Sequence, residues 1–249
     1  MFFFRWMLSL FVLCSSASAY SQSPSLTIAV ASNFKHTLEL LINEWATEHT
    51  QSIKITSAAS GVLHQQIIHG APFDMFLSAD GMRVDDLTQR GLSIGGGFEY
   101  ARGKLVFWTP SYMPTLSDLR SWSQQIAVAN PALAPYGAAA QQVLDVHTQV
   151  KPSQLVMGNN VVQTSQYVAT GHVKGALVAL SQVKQLGAQH YVNIPLSWHE
   201  PIVQKGMILK SSSEPMLAQQ FVSFLASKTA QRLIHHEGYE LPKYIRESM

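Results

Sequence analysis

The stretch Ser57 to Asp80, SAASGVLHQQIIHGAPFDMFLSAD, decides the fold, because it holds a strand exit, a helix start and a second buried strand in quick succession. Just before and into it, Ile53-Lys54-Ile55-Thr56 alternates as a half-buried strand does, and Ala58-Ala59-Ser60-Gly61 is small enough for a bound group to approach the backbone. Leu63, Ile67 and Ile68 then recur on one face at helical spacing. That spacing predicts Ser60 at the N-cap, with its hydroxyl and the free first-turn amides directed at one point. Such a helix start suits an anion, since unpaired N–H groups and the positive end of the helix dipole favour negative charge without a Lys or Arg. Taken alone, a serine here is more often a simple cap.

Upstream, Leu26 to Val30 reads as a compact strand that stops at Ala31-Ser32-Asn33. Phe34, Leu38, Leu41, Ile42 and Trp45 follow at helical spacing, so Ser32 or Asn33 is expected to cap a helix in the same way as Ser60. Strand-to-helix turns repeated in one parallel sheet form the edge at which α/β sheets bind ligands. Downstream, Phe73 to Leu77 is a third buried strand, and Ser78-Ala79-Asp80 caps a helix carrying Val84 and Leu87. Gly91 to Gly97 reads as a flexible turn and Lys104 to Trp108 as a strand ending at Thr109-Pro110, where the chain is expected to enter a second lobe. In that lobe Ile126 to Ala129, Leu155 to Met157 and Ala176 to Leu180 are strands, Asn130 to Gly137 and Gly158 to Val161 are turns, and Ala138 to Val146 is a helix. Ile202 to Leu209 is a strand able to recross, and Pro215 to Ile234 an amphipathic helix returning to the first lobe. The expectation is an α/β fold of two lobes, 26–108 plus 206–249 and 109–205, each a mostly parallel sheet flanked by helices, joined by two strand crossings.

Composition narrows the function. Seventeen basic against 15 acidic residues leave a formal net charge of +2, dispersed along the chain, so nucleic acid and membrane surfaces are not expected partners. Residues 1–19 carry one positive charge, an apolar run from Trp6 to Leu13 and an Ala17-Ser18-Ala19 ending, the pattern of a cleaved signal peptide and therefore of export. Later segments fall short of the ~20 apolar residues of a membrane-spanning helix. Leu13 is large where a lipid-attachment site before Cys14 wants a small residue, and cleavage leaves the mature chain without a thiol. An exported enzyme is the first rival reading, but G-x-S-x-G and H-E-x-x-H are absent and His235-His236-Glu237 has the wrong spacing for zinc. His64 and His69 lie five apart rather than the four of a helical metal pair. Trp198 and His199 read as packing in a loop, Asp80 as a cap, and Asp85 and Asp86 as part of a solvated helix. No metal site and no cofactor are expected.

Ala31-Ser32-Asn33, Ala59-Ser60-Gly61 with Leu63 to Ile67, and Gly70 to Asp80 together resemble the molybdate-binding receptors of bacterial ABC importers. Gly103 to Val106, Asn130-Pro131, Pro135-Tyr136-Gly137, Asn159-Asn160-Val161 and Glu237 to Pro242 follow in family order, so the resemblance spans nearly the whole mature chain. It implies a two-lobed periplasmic-binding-protein-like fold and a monomeric periplasmic receptor. That receptor would close over molybdate or tungstate and pass it to a membrane permease, without catalysis. A sensory receptor of the same architecture is the nearer rival. Ligand contacts carried over from the family fall on Ser32 and Ser60 through hydroxyl and amide, and on Tyr136 and Val161 mainly through backbone N–H. Where the family usually has a tyrosine this chain has Ala179, and Tyr136 stands where a small residue is usual, so the phenol of Tyr136 is a candidate replacement donor. A site of hydroxyls and amides offers donors only, which fits a fully deprotonated dianion and disfavours a protonated phosphate.

Overall fold

The computed structural model describes residues 24–242. The signal peptide and Cys14 read from the sequence lie outside the described residues. In chain order, the first part holds β1 (Ser25–Ala31), α1 (Lys35–Trp45), β2 (Ser52–Ala58), α2 (Ser60–Ile68), β3 (Met75–Leu77), α3 (Met82–Gln89) and β4 (Ser93–Gly103). The second holds β5 (Leu105–Trp108), α4 (Leu116–Arg120), β6 (Ile126–Ala129), α5 (Pro135–His147), β7 (Leu155–Gly158), α6 (Val161–Ala169), β8 (Ala176–Ala179), α7 (Leu180–Gln185) and β9 (Tyr191–Asn193). The chain then returns through β10 (Ile202–Leu209), α8 (Pro215–Leu225) and α9 (Lys228–His236).

Two five-stranded sheets result, ordered β2-β1-β3-β10-β4 and β7-β6-β8-β5-β9. In each, three neighbouring strands run parallel, β2-β1-β3 and β7-β6-β8, and the remaining ones pair antiparallel. The alternation in β1 explains why the first sheet is covered on both faces. Leu26, Ile28 and Val30 pack with Phe34, Leu38, Leu41, Trp45 and Phe221, while Ala29 joins Leu63, Ile67, Phe76, Val84 and Leu87 on the other side. Each large apolar side chain so buried contributes about 1.5–3 kcal/mol. Asp74 is a structural staple at the start of β3. Its buried carboxylate accepts from the Thr27 amide at 2.7 Å and from Ser212 Oγ and the Ser213 amide at 2.8 and 3.0 Å.

Several boundaries differ from the sequence reading. Strand β5 pairs with β8 and β9, so the first crossing lies at Gly103-Lys104 rather than at Thr109-Pro110. Its four residues are all buried, and a strand covered on both faces reads alike in either sheet. The return crossing is at Pro201, because β10 begins at Ile202 and pairs there with Gly103 of β4, four residues earlier than the expected boundary at 206. Strand β4 starts at Ser93 and takes in Gly95 to Gly97, which were expected to form a flexible turn. The long helix expected from Pro215 to Ile234 is two helices. Ser227 breaks it by accepting from the Ala230 amide at 3.2 Å as the N-cap of α9. No described helix is long and apolar enough to cross a membrane.

Candidate functional site

The parallel strands of both sheets end at one seam between the lobes. Ala31 pairs with Ala58, so Ser32 and Ser60 leave adjacent strands at the same end of one sheet. In the other sheet Ala129 pairs with Gly158, which sets the turns before α5 and α6 side by side. Ala31 and Ala79 of the first lobe share one buried cluster with Tyr136, Val161 and Ala179 of the second, and Ala59 packs with Ala129 and Ala134. The rim is thus built largely of alanine, which lets backbone from both lobes come close. Ser32 is 9% exposed, Ser60 1%, Tyr136 2% and Val161 2%, so the cleft is shut over all four expected contacts.

Ser60 is not the N-cap of α2. Ala59 holds that position in extended conformation, and Ser60 is the first helical residue. Its hydroxyl crosses the end of β1 to accept from the Ala79 amide at 2.9 Å, tying together the turns after β2 and β3. Nor is the first turn of α2 wholly open to a ligand, because the Gly61 amide donates to the Leu133 carbonyl of the other lobe at 2.9 Å. Ser32 likewise opens a turn of 3-10 helix, Ser32–Phe34, whose cap is Ala31. In the second lobe Val161 opens α6, with Asn160 as its cap accepting from the Gln163 amide at 2.9 Å. Tyr136 follows Pro135 at the start of α5, where proline costs nothing because a first-turn amide has no intrahelical acceptor.

The phenol of Tyr136 points to the crossings. It accepts from Gln204 Nε2 at 3.3 Å, and its oxygen sits over Gly103, where a Cβ would come within 2.2 Å of it. The next residue, Lys104, gives its carbonyl to the Leu180 amide directly after Ala179. Tyr136 and Ala179 therefore flank the same piece of backbone.

Sequence reasoning missed the buried polar hub behind the seam. Asn33 Nδ2 donates to Gln204 Oε1 at 3.0 Å, and the Asn33 carbonyl accepts from the Tyr239 hydroxyl at 2.7 Å and from Gln182 Nε2 of the other lobe at 3.2 Å. The Tyr100 hydroxyl lies 3.0 Å from both Gln204 Oε1 and the Ser78 carbonyl. Burial pushes the phenols of Tyr100, Tyr136 and Tyr239 well above their ordinary value, so all three stay protonated. A glutamine at an inward-facing position of β10, next to the return crossing, was the signal available.

The remaining polar candidates are engaged with one another, His64 and Asp86 at the rim of a hollow that Ala132 and Leu133 also line. His64 Nε2 meets Asp86 Oδ2 at 2.7 Å, and Arg90 meets the same oxygen at 2.8 Å. Those contacts hold the Asp86 carboxyl below its usual range, the Arg90 bond first and the His64 bond second. Trp198 stacks on His147 at 4.2 Å, in keeping with a packing role. Among the described residues no group of three or more His, Cys, Asp or Glu is placed to hold a metal ion.

Comparison with known proteins agrees with this architecture. The chain is 34% identical over 232 residues to the molybdate-binding protein ModA of Azotobacter vinelandii, covering 89% of this chain and 92% of that one. The solved structure of the Azotobacter vinelandii periplasmic molybdate-binding protein matches with a TM-score of 0.81 at 34% identity, over 88% of this chain and all of that chain. A sulfate-binding protein of Mycobacterium tuberculosis shares the fold at 12% identity and a TM-score of 0.66, over 90% of this chain and 89% of that one. Residues 26–240 match the family of bacterial extracellular solute-binding proteins, and the chain belongs to that family.

Proposed function

We propose that this chain captures a tetrahedral dianion, molybdate or tungstate, between its lobes in the periplasm and delivers it as a monomer to a membrane permease. Ser32 and Ser60 are its hydroxyl contacts, and Tyr136 and Val161 contribute backbone amides. The observation that carries the reading is the seam itself, where the parallel strands of both lobes end and the turns at Ser32, Ser60, Tyr136 and Val161 are all buried. Hydroxyl and amide donors suit a ligand that only accepts hydrogen bonds, and helix starts supply the compensating positive potential. The fold alone does not choose the anion, since a sulfate-binding protein shares it. The 34% identity to a molybdate-binding protein over nearly the full length supports molybdate over sulfate.

A thermal-shift series with molybdate, tungstate, sulfate, phosphate and chromate tests the reading. A ligand that binds only the folded state adds about 2.7 kcal/mol at a hundredfold excess over its dissociation constant. Molybdate and tungstate are expected to raise the melting temperature and phosphate to leave it unchanged. A larger shift with sulfate than with molybdate would replace the proposed cargo.

A further inference from the structure

The lobes are joined across the mouth of the cleft by contacts that do not belong to the expected anion shell. Besides the Gly61 amide on Leu133, Arg83 Nη2 of α3 donates to the Ala132 carbonyl at 3.1 Å. Arg83 is held from its own lobe by an ion pair with Asp80, whose Oδ1 also accepts from the Arg83 amide at 3.1 Å. Its side chain is 13% exposed. The residue before Asp80 is Ala79, the one bonded to Ser60 Oγ. The acceptors, Ala132 and Leu133, lie in the turn that leads to Tyr136, and Asn130 braces that turn by accepting from the Leu133, Ala134 and Ala132 amides. Hollows of about 400 and 420 Å³ open on the mouth, and Arg83 lines both.

We propose that Gly61 and Arg83 are positioning residues that latch the turn at 130–134 and so set how long the lobes stay closed, although neither is an anion contact. This rests on the reading of the seam as an anion site. The Arg83 guanidinium is paired with Asp80 of its own lobe, a contact that does not involve the second lobe. The acceptors at Ala132 and Leu133 arrive only when the second lobe does. A preformed charged donor loses little freedom on forming its bond, so the latch favours the closed state. Position 61 is also tight for anything larger than glycine. A Cβ would lie 3.1 Å from both the Leu133 carbonyl oxygen and Arg83 Nη2, and the crowding against Leu133 exists only when the lobes meet.

Rapid mixing with molybdate, read by intrinsic fluorescence, is the first test. Arg83→Gln is expected to raise the dissociation rate about tenfold, with the association rate within about twofold and the unliganded melting temperature within about 2 °C of wild type. Arg83→Lys recovers part of the loss. Gly61→Ala acts in the same direction, and the double variant falls short of the product of the single effects because both work on one turn. Unchanged dissociation in both Arg83→Gln and Gly61→Ala overturns the latch. Amide hydrogen exchange of the peptide containing Gly61 judges it without reference to cargo. Protection that drops about tenfold or more in Arg83→Gln supports the latch, and unchanged protection overturns it. If wild type ignores molybdate while that protection loss is seen, the cargo reading fails and the latch stands.

Discussion

Both rims of the cleft use the same plan, parallel strands ending in helix starts, yet they finish it with different chemistry. The first lobe places Ser32 and Ser60 at first helical positions, where no side chain caps the turn. The second closes α6 with Asn160, opens α5 with Pro135, and sends the side chains of Tyr136 and Val161 into the core. The contacts proposed for the first lobe include serine hydroxyls, which a single substitution can erase. Those proposed for the second are backbone amides, so a substitution there is expected to disturb the turn before it disturbs a ligand.

The largest expected effect is at the hub where the rims meet. Burial raises the phenols of Tyr100, Tyr136 and Tyr239 above the ordinary value of 10.0, so the folded state resists losing those protons. The stability this contributes is fully present below about pH 10 and is lost as the pH climbs through the raised folded values. Denaturant midpoints measured at pH 8 and pH 11 should show a steep drop at the higher pH. A flat profile would mean that the hub is open to solvent.

Next in size is the loss of one serine. Ser60→Ala removes the hydroxyl proposed to meet the charged ligand and strips the Ala79 amide of its acceptor, and molybdate affinity is expected to fall by about 1.5–3 kcal/mol in calorimetric titration. Tyr136→Phe keeps the amide and ring but leaves Gln204 Nε2 without its partner, so stability should fall by about 1 kcal/mol with affinity within about threefold of wild type. A tenfold loss of affinity would show that the phenol also reaches the anion and would blur the contrast between the rims. Smallest is Val161→Ala, which preserves the amide and its Asn160 cap, with an expected binding change below about 0.5 kcal/mol. A serine-sized effect there would end the division into side-chain and backbone rims.

The parts of the molecule legible in the sequence are those governed by local pattern. The compact run Leu26 to Val30, the alternation of Ile53 to Thr56 and the helical spacing after Ser32 and Ser60 were enough to find the strand-to-helix turns, although Ser60 proved to be one residue inside its helix. Whether Leu105 to Trp108 joins one sheet or the other depends on partners far away, and the four residues carry no mark of the choice. The break at Ser227 was hidden inside an amphipathic pattern that fits one helix or two. Asn33, Gln204 and Tyr100 acquire their roles only through each other, across separations such as the 171 residues between Asn33 and Gln204. The same is true of Arg83, an ordinary surface arginine by sequence until the second lobe brings Ala132 to it.

The alanines around the seam have a consequence for selection by size. A wall of leucines or methionines can fit a larger or smaller guest by changing rotamers, at a cost of about 1 kcal/mol. Ala31, Ala59, Ala79, Ala129, Ala134 and Ala179 have no such freedom, since each methyl is carried rigidly on the main chain. The aperture can change only if whole strands move, and the strands are locked in their sheets. Once the lobes are closed, the proposed anion site would therefore act as a calliper whose setting is the spacing of the main chain.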